Sequence, residues 1–410
     1  MTTFFTPGTA RPRAGARLPR TFALVERGRA AGWHVGFQLY VSHHGELFAD
    51  AAVGEARPGV PMTPETLMLW FSAGKPLAAV AIAQLWERGL LDLDDPVCAH
   101  VPEFGEHGKG AVTFRHLLTH TGGFLRDWHW AEYATLSWDE TIARICAAEL
   151  EPGWVPGERA GYHPASGWFM LGEVVRRVDG RPYPRYVREA ICEPLGMADT
   201  WVGMPAERYA AYGHRLGLMH DTSSGAPHLY PAPLFDSETA CARCNPGERA
   251  RGPAHDLGRF YEMLLGGGQY AGTRLLAPQT VAALTGAHRV GLVDETFGYV
   301  KNWGLGFALD NHRPAAGEAR LSFGPACSRR TFGHAGWRSS LGFADPEYGV
   351  VLAAVANGTA PNEISYQRFH DLAAAVYQDL GIAASETTRH TLQRVHQCDL
   401  HRPRHAKRHR

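Results

Sequence analysis

Lysine is nearly absent from this 410-residue chain: of 41 basic residues only Lys75, Lys109, Lys301 and Lys407 are lysine. In a sequence so biased towards arginine, each surviving lysine raises the question of what a guanidinium could not do there. Long apolar runs are missing too. No stretch approaches the roughly 20 residues of a membrane span, which argues against a helical membrane protein. The opening Met-Thr-Thr-Phe-Phe-Thr-Pro lacks the charged and apolar regions of a signal peptide. Cysteines number seven, an odd count without framework spacing, so reduced thiols and a cytoplasmic location are expected. Cys241-Ala-Arg-Cys244 has the spacing of half a zinc site, but no second pair accompanies it and coincidence is preferred. None of the 22 histidines falls in a His-Glu-x-x-His or His-x-His pattern. Neither a metal nor a cofactor is implied.

What is present is the composition of a globular protein, 45% hydrophobic and 20% charged. Formal net charge is zero, yet residues 1–20 carry four arginines and no acid, and residues 386–410 carry seven bases against two acids. The body between them is therefore acidic. A basic, His-rich tail can attract nucleic acid or an acidic partner, but a short solvated tail is the preferred reading, with no nucleic-acid role. Periodicity predicts strands over 36–41, 47–53, 303–309, 331–343 and 350–356. It predicts helices over 74–88, 113–118, 137–150, 167–178, 256–265, 278–285 and 362–380. Residues 202–250, rich in Gly, Pro, His and Ala, read as loops. Strands thus open and close the sequence with helices between them. That order suggests an α/β protein of the α+β type, an antiparallel sheet flanked by helices with an inserted, mainly helical lobe. The expected division is a flexible basic leader at 1–20, a catalytic domain at 21–385 and a tail at 386–410. Within that domain the sheet body takes about 21–90 and 250–385, and the insertion about 91–249.

Ser72-Ala-Gly-Lys75 is the motif that carries chemistry. A serine hydroxyl is a poor nucleophile until a base removes its proton. Residues i and i+3 share a helix face, so the lysine amine can reach the serine oxygen. A neutral amine accepts a proton, whereas guanidinium stays charged. The helix N-terminus also turns amides towards the serine. The competing reading is a capping serine with a surface lysine. Tyr162, ahead of a helix, is the second candidate; a lysine ammonium beside it would favour the phenolate and let the set shuttle one proton. A lone tyrosine packing at a helix start is the plain alternative. The third is His334-Ala-Gly336, on a strand where Gly336 would let a substrate backbone approach. The Trp337 N–H would complete an oxyanion hole with that of Ser72, and His334 would bond substrate or Tyr162. Alternatively, His334 merely bonds a backbone group.

In this order the three elements resemble the serine β-lactamase and penicillin-binding-protein superfamily, specifically its class C-like esterase branch. That group shows Ser-x-x-Lys, then Tyr-x-Asn, then Lys-Thr-Gly or His-x-Gly. Pro61-Met-Thr-Pro-Glu-Thr-Leu, Leu91-Asp-Leu-Asp-Asp-Pro-Val, Arg115-His-Leu-Leu-Thr-His-Thr-Gly-Gly, Pro194-Leu-Gly-Met, Asp256-Leu-Gly-Arg-Phe and Trp303-Gly-Leu-Gly-Phe add to the likeness, which covers roughly residues 30–380. It implies Ser72, Lys75 and Tyr162 as catalytic, and His334, Gly336 and Trp337 as substrate or oxyanion contacts. Two departures stand out. Tyr162-His163-Pro164 lacks the asparagine, so the hydrogen bonds it makes to lysine and substrate must come from elsewhere. His334 replaces a permanent cation with a titratable imidazole. Both changes argue against a β-lactam or peptidyl carboxylate as substrate.

The expected activity is a carboxylesterase or amidase acting on a small ester or amide through an acyl-Ser72 intermediate. The alternative is a transacylase passing the acyl group to an amine or alcohol. A β-lactamase, a D-Ala carboxypeptidase and a silent scaffold rank lower, and oligomeric state is left open. The aromatic cluster Trp128, Trp130, Tyr133 and Trp138 either lines an acyl or acceptor pocket or simply packs. If Lys75 serves as a proton acceptor, Lys75→Arg should be nearly as damaging as Lys75→Ala in ester turnover. Activity within a few-fold of wild type in the arginine variant would sink that role.

Overall fold

The computed structural model describes residues 14–126, 130–310 and 323–382. Strands β1 (Gly36–His43), β2 (Glu46–Arg57) and β3 (Val60–Pro61) come from the first part of the sequence. Strands β4 (Ala308–Leu309), β5 (Phe332–Gly336), β6 (Ser340–Asp345) and β7 (Val350–Ala356) come from the last part. They form one sheet in the order β4-β5-β6-β7-β1-β2-β3, and every pairing is antiparallel. The seam between the two groups is β1 against β7, from Phe37 opposite Ala356 to His43 opposite Val350.

Five principal helices surround it: α1 (Pro19–Ala30), α2 (Lys75–Glu87), α3 (Ser166–Asp179), α4 (Ala254–Leu265) and α5 (Asn362–Asp379). Side chains alternate across a strand, so each central strand feeds two cores. Phe37, Leu39 and Val41 of β1 join Leu352 and Ala354 of β7 beneath α1 and α5, with Val25, Phe369, Leu372 and Val376. Tyr40, Val351, Ala353 and Val355 face the other way, against Leu257 and Tyr261 of α4. With both faces covered, β7 is buried at every position, which explains why its sequence runs apolar rather than alternating. Gly258 lets α4 come close: a Cβ there would lie 2.3 Å from the Tyr40 ring. Helix α2 lies in the interior. Its Ala78, Ala79, Val80, Ala81, Ile82 and Ala83 are all buried, so apolar residues surround it rather than forming a single stripe.

Four expectations need correction. Of the strand expected over 303–309, only Ala308–Leu309 forms, because the chain bends at Leu305 and Gly306. Residues 331–343 are not one strand but the β5–β6 hairpin, turning at Arg338 with φ 54°. A non-glycine residue in the left-handed region leaves no Gly or Asn signal to read. Residues 202–250 are not all loop: they include helices Ala206–Tyr212 and Glu238–Ala242, and a strand begins at Ala250. Residues 14–17 and 19–20 are helical rather than leader-like. Leu18 is fully buried, and the Arg17 guanidinium bonds Glu46 Oε1 at 2.6 Å over the Phe48 ring. Residues 1–13 and the expected tail at 386–410 lie outside the described residues. Among those described, no helix is long and apolar enough to cross a membrane.

Asp345, at the end of β6, ties the sheet to its cover. Its buried carboxylate accepts from the Ser328 N–H at 2.8 Å, the Ser328 hydroxyl at 2.5 Å and the Tyr377 hydroxyl of α5 at 2.6 Å. Removing it strands buried donors, each costing about 1–3 kcal/mol. Asp345→Ala should therefore lower unfolding free energy by roughly 2–4 kcal/mol in a urea titration. A loss below about 0.5 kcal/mol would contradict this account.

Candidate active site

The segment entering Ser72 is clamped before it turns. Met68–Leu69 pairs with Gly252 and Arg251, and the Trp70 N–H donates to the Ala250 carbonyl at 2.8 Å. Phe71 then adopts φ 49°, in a region that a bulky side chain rarely visits. Such a conformation costs about 1–3 kcal/mol and persists only where the surroundings enforce it. A 3₁₀ turn over Phe71–Gly74 follows, and α2 begins at Lys75. Ser72 thus lies on the tighter turn ahead of the α-helix, not within the helix itself. With three residues per turn, positions i and i+3 eclipse, which stacks Lys75 directly over Ser72.

Lys75 is completely buried. Its Nζ lies 2.9 Å from Ser72 Oγ, 2.8 Å from the Pro164 carbonyl and 2.7 Å from the Gly247 carbonyl. Among the described residues no carboxylate is paired with it, and burial pulls its pKa from the ordinary lysine range down to about 7, opposed by Glu248. A neutral amine has two N–H bonds and one lone pair. The two carbonyls take the N–H bonds, and the lone pair is left facing Ser72. The contacts expected of the missing asparagine thus include a main-chain one: Pro164 contributes its carbonyl in place of a side-chain amide. Gly247 is a site residue that sequence reasoning missed, since a backbone carbonyl leaves no mark in residue type. Its own N–H is held by Asn245 Oδ1 at 2.8 Å.

Tyr162 sits beside Ser72, with Lys75 Nζ 5.1 Å from its ring centroid. The expected drift towards phenolate is reversed. Burial raises the Tyr162 pKa far more than the Ser72 hydroxyl lowers it, so the phenol keeps its proton at neutral pH. Arg289 and Asp294, also missed from sequence, anchor this tyrosine. Asp294 Oδ1 accepts from the Tyr162 N–H at 3.0 Å, while Asp294 Oδ2 pairs with Arg289 at 2.9 Å in full burial. Arg289 also donates to the Thr119 carbonyl at 2.9 Å, and the adjacent His120 ring packs 4.5 Å from Tyr162. The Leu-Leu-Thr-His-Thr segment therefore buttresses the site from behind.

Ser72, Tyr162, His334, Gly336 and Trp337 line one cavity of about 230 Å³, walled further by Phe297, Lys301, Arg338, Tyr366 and Phe369. The structure brings all six predicted residues together, five on the cavity wall and Lys75 buried behind Ser72. His334 differs from expectation. Its Nδ1 is 2.8 Å from the Ala335 carbonyl, and its ring centroid is 6.2 Å from that of Tyr162, without a hydrogen bond between them. Burial, reinforced by Lys75 and Lys301, holds its pKa well below the usual value, so it is a neutral imidazole rather than a titrating one. Its Nε2 has no partner among the described residues. Gly336 also needs reinterpretation. A Cβ there would lie 2.1 Å from both the Trp70 carbonyl oxygen and Ser340 Oγ, so the glycine is needed to admit the serine turn, whatever it offers a substrate. The Ser72 and Trp337 amides find no acceptor among the described residues. Tyr133 and Trp138 line a different cleft and bond Glu248 and Glu173, while Trp128 lies outside the described residues.

Residues 22–377 match the Beta-lactamase family. The chain belongs to that family. It is an enzyme, a serine hydrolase of the β-lactamase and penicillin-binding-protein superfamily. The Esterase/beta-lactamase LipL of Mycobacterium tuberculosis is 30% identical over 379 residues, covering 85% of this chain and 82% of that one. Esterase EstB of Burkholderia gladioli is 29% identical over 384 residues, covering 83% and 90%. Among solved structures, a penicillin-binding-protein homologue from Caulobacter crescentus superposes with TM-score 0.72 at 30% identity, covering 91% of this chain and 99% of that one. A family VIII carboxylesterase gives TM-score 0.73 at 26% identity with the same coverage.

The family fold thus presses strand β5 against the serine turn, and Gly336 is where the two backbones meet. Gly336→Ala should push the Trp70 carbonyl aside, destabilise the protein by about 1–3 kcal/mol and lower ester turnover at least tenfold. Near-normal stability and turnover would show that the contact has slack.

Proposed function

We propose that the chain is a carboxylesterase- or amidase-type hydrolase that forms an acyl intermediate on Ser72. The observation that carries this reading is the Lys75 amine: buried, unpaired with any acid, and 2.9 Å from Ser72 Oγ. In its neutral form it takes the serine proton as Oγ attacks the substrate carbonyl. The Ser72 and Trp337 N–H groups receive the oxyanion that develops. Tyr162, still protonated, donates to the departing alkoxide or amine, and the proton on Lys75 replaces it. Water then enters by the same relay and releases the acid. The esterase relatives support small esters or amides as substrates. His334 puts a buried, neutral imidazole on the strand where lactam-recognising relatives would place a fixed charge, which supports an ester over a β-lactam. An amine or alcohol in the place of water would make the same site a transacylase.

The sign of the pH dependence follows from the amine. Below about pH 7 Lys75 is an ammonium without a lone pair, so kcat/KM should rise through pH 7 and level off above it. Intact-mass spectrometry with 4-nitrophenyl esters should show an acyl adduct on wild type and none on Ser72→Ala. Faster loss of that adduct on adding amines, with amide formed, would assign transfer instead of hydrolysis. An adduct surviving in Ser72→Ala, or a profile falling with pH across 6–8, would overturn the assignment.

A further inference from the structure

The cavity wall carries charge of one sign. Lys301 and Arg338 both line it, and among the described residues no aspartate or glutamate does. Among the described residues neither cation has a carboxylate within ion-pair distance. Arg338 donates its Nε–H to the neutral Asn362 Oδ1 at 2.8 Å and lies over Trp337. The Lys301 ammonium sits 4.8 Å from the Phe297 ring centroid and 5.3 Å from that of Trp303, and Lys301 and Arg338 are each half-buried. Elsewhere arginines such as Arg115, Arg177 and Arg181 pair with carboxylates. Lys301 without an acid beside it, and Arg338 sensing only the more distant Asp221 carboxylate, form a field at the site that attracts an anion and concentrates it there. The imidazole of His334 adds no charge, so it does not duplicate this role.

Resting on the acyl-Ser72 reading, we propose that the preferred substrates are esters or amides bearing an anionic group, a carboxylate foremost, that Lys301 binds with Arg338 in support. Phe297, Trp337, Tyr366 and Phe369 supply the apolar surface for the carbon chain between that group and the scissile carbonyl. The cation lost from the β5 strand is thereby replaced from a different element, the segment following the Val293–Asp294 and Tyr299–Val300 ribbon. Lys301 belongs to the scarce lysines, and a compact ammonium fits between two ring faces while leaving its remaining hydrogens for a ligand.

The test compares two 4-nitrophenyl esters of equal length, the hexanoate and the monoester of adipic acid. Wild type should favour the adipate by roughly fivefold to tenfold in kcat/KM, mainly through KM, at low ionic strength. Raising salt from 0.05 to 0.5 M should shrink that ratio, because the pair is only half-buried. In Lys301→Met the ratio should fall to within twofold of unity, whatever the absolute rates; Arg338→Met should reduce it less. Preference for the hexanoate in wild type, or an unchanged ratio in Lys301→Met, would overturn the proposal while leaving the acyl-serine reading intact. Turnover of neither ester, with no adduct on Ser72, would instead overturn the acyl-serine reading and this proposal with it.

Discussion

Burying the Lys75 amine without an acid is the constraint around which the site is arranged. A charged ammonium in that position would be expensive to desolvate, so the protein holds a group that prefers neutrality near pH 7. The two carbonyls that receive its hydrogens come from distant parts of the sequence, Pro164 just before α3 and Gly247 just before the strand that clamps Trp70. A shift of either segment would rotate the lone pair away from Ser72. Packing of α2 against α3 and the short strand at Ala250 is therefore part of the chemistry as well as the core.

The same arrangement explains the strain at Phe71. Extended chain arrives at Trp70 held on three sides, by the Ala250 carbonyl, by Gly252 accepting from the indole at 2.8 Å, and by Ser340 on the Trp70 carbonyl. One residue later it must become helical. A single left-handed residue makes that change of direction, and the contacts on either side over-determine it. Tyr162 is fixed by an equivalent device: the fully buried Arg289–Asp294 pair would be costly if either partner were removed, and its remaining oxygen is spent on the Tyr162 backbone.

Much of this was legible in residue types. The rarity of lysine singled out Lys75, and Lys109 and Lys301 prove to be unusual as well. Lys109 is buried with its Nζ donating to the Glu106 and Cys146 carbonyls at 3.0 Å and to that of Ala148, a three-way cap that an ammonium fits and a planar guanidinium does not. Ser72, Tyr162 and His334 could be named because their side chains are of types that a sequence motif marks. Gly247 and Pro164 act through carbonyls common to all residues, so no pattern announces them. Arg289 and Asp294 stand five residues apart in a segment without periodicity, and only the fold shows that they pair. The turn at Arg338 was hidden for a similar reason: its left-handed backbone is imposed by the hairpin rather than chosen by a glycine. His334 looked titratable because the sequence does not reveal burial.

The β1–β7 seam has a consequence for how the enzyme comes into being. Asn357, just past β7, accepts hydrogen bonds through its Oδ1 from the N–H groups of Val35 and Gly36, 322 and 321 residues away. During synthesis β1 and β2 emerge early, and the edge of β1 stays unpaired until β7 leaves the ribosome. Contacts of such long sequence separation close slowly, because loop entropy must be overcome before they form. A waiting apolar edge is also a template for wrong pairing. The newborn chain therefore passes through a stage in which the serine turn, whose Trp70 and Gly336 contacts need β5, already exists as sequence but has no wall to lean on. Catalytic competence is among the last properties this chain acquires, and truncation anywhere before β7 removes it.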